Sequence, residues 1–172
     1  MTIYALGKKI PRIHSDAYIH ADATVIGDVT IGKHSTVWPG VVIRADYGTI
    51  VIGEETSVQD GTVIHATAGL LTQIGSRCVI GHLAHLEGCS IADDVLIGSG
   101  SVVLHRAVVE RHSLVGANSV VTNDMVVPSY AMALGVPAKI VPDRVKEGGF
   151  AGIVANYVAN GKQYRTDLRR ID

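Results

Sequence analysis

The sequence is dominated by a period of six. A branched aliphatic residue returns at Ile19, Val25, Ile31, Val37 and Ile43, then at Ile52, Val58 and Ile64, then at Ile74, Ile80 and Leu86. A last block follows at Ile91, Ile97, Val103, Val109, Val115, Val121 and Val127. Two places before these stands a mostly small residue, among them Ala17, Ala23, Ser35, Thr56, Thr62, Cys78, Ala84, Cys89 and Ser101. An amphipathic helix needs an apolar spacing near 3.6, and an array of hairpins needs regular two-residue turns of the Asn-Gly kind. Neither pattern is present. A fixed short period fits a solenoid of short parallel strands, in which each unit buries its apolar residue only by stacking on its neighbours. Composition agrees: the 172 residues include nineteen glycines but one Phe and one Trp, so small aliphatic side chains must build the core.

The pattern resembles the left-handed parallel β-helix of hexapeptide-repeat proteins, in which three hexapeptides make one triangular turn of eighteen residues. The hand of the coil is implied by that resemblance. Eighteen inward positions, taken three to a turn, then predict an all-β solenoid of about six coils, roughly 30 Å tall at the spacing of parallel strands. The period breaks at 44 to 51, at 65 to 73, and by one residue between Leu86 and Ile91. Loops and sites collect at such irregularities in a solenoid. After Val127 the prolines and glycine of "PSYAMALGVPAKIV" suit a chain leaving the coil. In "FAGIVANYV" the residues Phe150, Ile153, Val154, Tyr157 and Val158 fall at helical spacing. Residues 1–142 are therefore expected to form the repeat solenoid, and 143–172 a C-terminal α-helix and tail packed on the same domain.

Bulk properties exclude several classes of function. The formal charge is −1 and basic residues do not cluster before the closing "RTDLRR", so there is no electrostatic footprint for nucleic acid. No apolar run reaches the roughly 18 residues of a membrane span, and the first residues lack a signal-peptide core, so a cytoplasmic location is expected. Cys78 and Cys89 read as small buried residues of the repeat. His14, His20, His34, His105 and His112 are expected at the surface.

Counting along the coil locates a candidate site. Side chains alternate along a strand, so inward Ile64 and Leu86 leave His65 and Glu87 pointing outward. From 64 to 86 is one turn of eighteen plus a four-residue insertion, which sets Glu87 one rung above His65. The step from 43 to 64 is one turn plus three, which sets Arg44 one rung below. At about 4.8 Å between rungs, His65 and Glu87 can share one cation with bonds near 2 Å. His82 falls at a corner and points away from this column. A threefold assembly would bring the corner of one copy against the face of the next, giving a homotrimer with three interfacial sites.

"RAD" at 44 to 46, "SVQDG" at 57 to 61, His65, "IGHLAHLEGC" at 80 to 89, "LIGSGSVVL" and "GVPAKIV" together resemble the γ-class carbonic anhydrase family over roughly residues 10 to 142. The resemblance implies a trimer holding Zn2+, alternatively Fe2+, through His65, His82 and Glu87. It implies hydration of CO2 to bicarbonate by a metal-bound hydroxide. It sets Gln59, Arg44 and Asp46 at the catalytic centre, and Arg44, Asp46 and Asp60 in an intersubunit charged cluster. The departure is Glu87, because the family's third ligand is histidine. His85, two residues earlier on the same outward side, is an alternative ligand or a partner of Glu87. Two histidines with one carboxylate form a known zinc set, but the carboxylate cancels a unit of metal charge and weakens its Lewis acidity. Ser57 replaces the family's usual asparagine, and "ATAGLLTQ" lacks the acidic proton shuttle of some members. Relatives imply two further activities, a metal-dependent acyl-CoA thioesterase and a non-catalytic metal- or siderophore-binding scaffold. A hexapeptide acyltransferase with His65 or His82 as base is the remaining reading.

Overall fold

Three columns of inward aliphatic side chains set the architecture. On the first face Val25, Ile43, Ile64, Leu86, Val103 and Val121 sit in register, one per rung. On the second the column runs Ile31, Ile52, Ile74, Ile91, Val109 and Val127. The third runs Ile19, Val37, Val58, Ile80, Ile97, Val115 and Ala133. Apart from Ile19, which is partly buried, every one of these is at most 1% exposed. Burying each such side chain contributes roughly 1.5–3 kcal/mol, and here the area is buried between successive turns. The computed structural model, which describes residues 2 to 172, is thus a parallel β-solenoid of about seven turns with one C-terminal helix.

The count of six coils is corrected to about seven. Strands Thr2–Tyr4 and Arg12–Ile13 pair in parallel with Thr24–Ile31 and supply a first turn ahead of the regular period. This turn has a neighbour on one side only, so Ile3 and Tyr4 remain exposed and no six-residue pattern marks them. The period does break at 44 to 51, where the register shifts, but the strand itself is not interrupted. Strand Val42–Ile52 runs on from the first face to the second, and buries Ile50 as a further core residue opposite Val29.

Small polar residues sit inside because they hydrogen-bond the neighbouring turn. Thr56 Oγ1 donates to the Gly75 carbonyl at 2.8 Å, Thr62 Oγ1 to Gly81 at 2.9 Å, and Ser101 Oγ to Gly116 at 2.8 Å. Each corner is made by a residue with left-handed backbone, such as Glu55, Arg77 and Asp94. Its amide bonds the carbonyl of the turn below: Glu55 to Lys33, Arg77 to Glu54 and Asp94 to Ser76, at 2.8 to 3.0 Å. Those bonds offset a conformation that costs a non-glycine residue about 1 kcal/mol.

The last coil is closed by strand Met132–Leu134 pairing antiparallel with Lys139–Val141. Helix α1, Ala151–Asp167, then folds back on the third face. Trp38 receives it, with Tyr157 at 5.9 Å and Tyr164 at 5.0 Å between ring centroids, while its Nε1 donates to Thr36 and Ser57 hydroxyls. The seam is Val154, Tyr157, Gly161 and Tyr164, whereas Ile153 of the expected stripe is 40% exposed. Among the described residues no helix is long and apolar enough to cross a membrane.

Candidate functional site

Rung stacking on the first face aligns Arg44 with His65 and His65 with Glu87, while His85 stacks on Val63. The sequence count gives the same order. His65 lies between two carboxylates, with Nδ1 2.7 Å from Glu87 Oε1 and Nε2 2.9 Å from Asp46 Oδ1. Asp46 is also paired with the Arg44 guanidinium, and its backbone carbonyl accepts from Lys9 Nζ. Partial burial pushes the Asp46 carboxyl up, but hydrogen bonds from His65 and Arg44 outweigh it and hold the group below its ordinary range. Tyr47 lies edge-on to the His65 ring, 6.5 Å between centroids.

Two participants were not expected. Thr67, from the loop that follows His65, donates its hydroxyl to Glu87 Oε1 at 2.6 Å. His105, expected at the surface, lies with Nε2 3.6 Å from Glu87 Oε1 and 3.2 Å from Thr67 Oγ1. The Thr67 hydroxyl is the chief cause holding Glu87 down at about 2, against its partial burial, with His65 and then His105 adding to it. The only sequence signal for His105 was its place eighteen residues after Glu87. The shortened step, in which His85 stacks on Val102, moves it one place past that rung, above Gly88. His112, also expected at the surface, is buried and stacked on Tyr130 at 5.2 Å.

The other predicted residues sit on a different part of the coil. Asp60 lies one rung below His82, and His82 Nδ1 is 2.9 Å from Asp60 Oδ2, with both side chains half exposed. Gln59 is buried beside Asp60, and Tyr157, its hydroxyl pushed up by burial and by the Asp60 charge, packs nearby on Trp38. One chain therefore brings together Arg44, Asp46, His65, His85 and Glu87, and leaves Gln59, Asp60 and His82 apart from them. Among the described residues no three His, Cys, Asp or Glu side chains are placed to hold a metal within one chain. A cavity of about 420 Å³ lies away from the column, between Phe150, Val154 and Val158 of the helix region and the corner residues Arg77, Asp94 and His112.

The fold and its stacked outward column define a hexapeptide-repeat protein, and the family model described as bacterial transferase hexapeptide (six repeats) matches residues 11–45 and 88–123. The chain belongs to the γ-class carbonic anhydrase-like family of these repeats. It is 37% identical over 146 residues to gamma carbonic anhydrase 2, mitochondrial, of Arabidopsis thaliana, covering 81% of this chain and 52% of that protein. It thus spans about half the length of the plant protein. It is 38% identical to the carnitine operon protein CaiE of a Proteus species, covering 83% of this chain and 73% of the relative. The crystal structure of the BC4754 product of Bacillus cereus, which carries a provisional acetyltransferase name, superposes with a TM-score of 0.94 at 32% identity, covering 97% of this chain and 98% of that one.

Proposed function

We propose that the chain is a γ-carbonic anhydrase-like metalloenzyme that hydrates CO2 to bicarbonate at the interfaces of a homotrimer. The observation that carries this reading is the division of donors. His65 and Glu87 meet on one face, while His82 is turned off that face and held by Asp60, so a second copy of the chain is needed to complete a set of three. The donor chemistry fits zinc, or iron(II), since two imidazoles and one carboxylate form a catalytic set for either. A bound cation would supply Lewis acidity that makes water nucleophilic near neutral pH.

The chain's own residues have separable tasks. Asp60 engages His82 Nδ1 and so leaves Nε2 as its free donor atom. Arg44 neutralises Asp46 and keeps that carboxylate against His65. Gln59, buried beside Asp60, is assigned to orienting the attacking water. His85, more open than Glu87 and with Nε2 3.4 Å from Glu87 Oε2, is placed to pass a proton to solvent in the absence of an acidic shuttle.

The test is metal content with CO2 hydration across pH for the wild type and Glu87→His. Replacing carboxylate by imidazole restores metal charge, so the variant should keep its metal and gain rate near neutrality, with the wild type active at more alkaline pH. Equal occupancy and equal rate profiles would remove Glu87 from the ligand set.

A second reading, acyl transfer, draws support from the His82 and Asp60 pair, a half-exposed imidazole oriented by a carboxylate as a general base requires. Turnover of an acyl-CoA thioester that survives chelation and is lost in His82→Ala would select it. The same turnover lost on chelation would point to a metal-dependent thioesterase, and metal uptake without either activity to a binding scaffold.

A further inference from the structure

The two oxygens of Glu87 have unlike surroundings. Oε1 accepts the Thr67 hydroxyl at 2.6 Å, faces His65 Nδ1 at 2.7 Å and has His105 Nε2 at 3.6 Å. Among the described residues Oε2 has only His85 Nε2 as a charged or hydrogen-bonding neighbour, at 3.4 Å. Thr67 and His105 are also joined to each other, 3.2 Å apart. A threonine hydroxyl has a single hydrogen. Given to Glu87, it leaves the Thr67 oxygen to accept from His105, which requires the proton of that imidazole on Nε2. The His105 ring is seated over Gly88, where a Cβ would come within 2.8 Å of its Cδ2 and 3.0 Å of Leu70 Cδ1. Gly88 also has a φ of +57°, so backbone conformation and ring placement both call for glycine there.

We propose that Thr67 and His105 are positioning residues that clamp Glu87, holding Oε1 inside the chain so that Oε2 alone is presented to a cation. The inference rests on the reading of Glu87 as a metal ligand, and it explains how a carboxylate serves at a position where the family resemblance implies an imidazole. The terminal torsion of a free glutamate is broad and its two oxygens are equivalent, so it can take a cation through one oxygen or both. A clamped glutamate offers one donor atom, as an imidazole does. The clamp comes from the loop after His65 and from the corner above Gly88, and neither part belongs to the column itself.

The experiment is a Co2+ titration of the full chain, followed by visible absorption, for the wild type, Thr67→Val, Thr67→Ser and His105→Phe, with melting temperatures as a control for folding. The wild type should take one Co2+ per chain. Thr67→Val and His105→Phe should bind about 10- to 100-fold more weakly, the usual effect of removing a partner that orients a ligand. Their spectra should weaken as the second carboxylate oxygen joins and the coordination number rises, while melting temperatures stay near wild type. Thr67→Ser, which keeps the hydroxyl, should restore affinity and spectrum. Wild-type affinity and spectra in Thr67→Val and His105→Phe would overturn the clamp alone, as would equal losses in Thr67→Ser and Thr67→Val. A wild type that takes up no Co2+ would overturn the metal reading and the clamp together.

Discussion

Glu87 lies one rung above His65, its Oε1 2.7 Å from the imidazole Nδ1, although twenty-two residues separate the two in the chain. The pairing exists because Leu86 and Ile64, their inward neighbours, are stacked in the core. Outward chemistry on a solenoid is fixed by inward packing, and the expected behaviour of variants follows from that coupling.

If a site takes His65 from one copy and His82 from the next, His65→Ala and His82→Ala should each abolish metal binding alone. Refolded together in equal amounts, they should recover about a quarter of the wild-type sites, the fraction of interfaces at which random assembly juxtaposes the two intact halves. Metal analysis of the mixture measures this; no recovery would mean that the site is not shared between chains.

Removing the core under the site should disturb both stability and ligand geometry. Ile64 is fully buried and precedes His65 on one strand. Ile64→Ala should cost about 2–5 kcal/mol in urea unfolding and Ile64→Val about 1 kcal/mol. Metal affinity should fall with the first and survive the second.

The cysteines give the alkaline limb of stability. Burial pushes the thiols of Cys78 and Cys89 up to about 12. A group whose pKa is raised in the folded state contributes fully below its unfolded pKa, about 9 here, and loses that contribution as pH rises toward 12. Each thiol should therefore cost roughly 1 kcal/mol for every pH unit between about 9 and 12. The repeat places alanine at the corresponding Ala17, Ala84 and Ala107, so Cys78→Ala and Cys89→Ala should fold, lose about 1 kcal/mol at neutral pH and flatten the alkaline decline. Urea midpoints between neutral pH and about pH 11 test this, and a thiol reagent should leave both residues unmodified until the chain unfolds.

Gly161 in α1 should be intolerant of the change that helix propensity favours. Alanine gains about 1 kcal/mol over glycine inside a helix. A Cβ at this position would lie 2.6 Å from Thr36 Cγ2, and overpacking of this kind costs roughly 1–3 kcal/mol. Gly161→Ala should therefore lower stability by about 1 kcal/mol and loosen the helix from Trp38, whose fluorescence reports the change. A gain in stability would show that the helix adjusts freely on its face.

The inward residues were readable because a solenoid repeats one local environment, so that Val58, Ile80 and Ile97 announce their place by period alone. Ile50 was not readable, since it lies in a stretch where the period is broken and only the continuous strand Val42–Ile52 turns it inward. The column of Arg44, His65 and Glu87 followed from arithmetic on insertions. Thr67 and His105 did not, because one lies in an aperiodic loop and the other is displaced by the shortened step after Glu87. The helical stripe was legible at Val154 and Tyr157, whereas Ile153 is exposed and Gly161 and Tyr164 extend the seam, because Trp38 and Tyr18 on the solenoid select which side chains pack there.

By itself the sequence determined the coil, its apolar columns and which outward residues share a rung, because those follow from a period that each turn imposes on the next. Only the tertiary structure decided which side chains surround Glu87, and that His82 is turned toward Asp60 instead. Those contacts join residues through loops and corners whose paths no repeat dictates, where hydrogen-bond geometry and local packing choose between directions that the chain alone leaves equal.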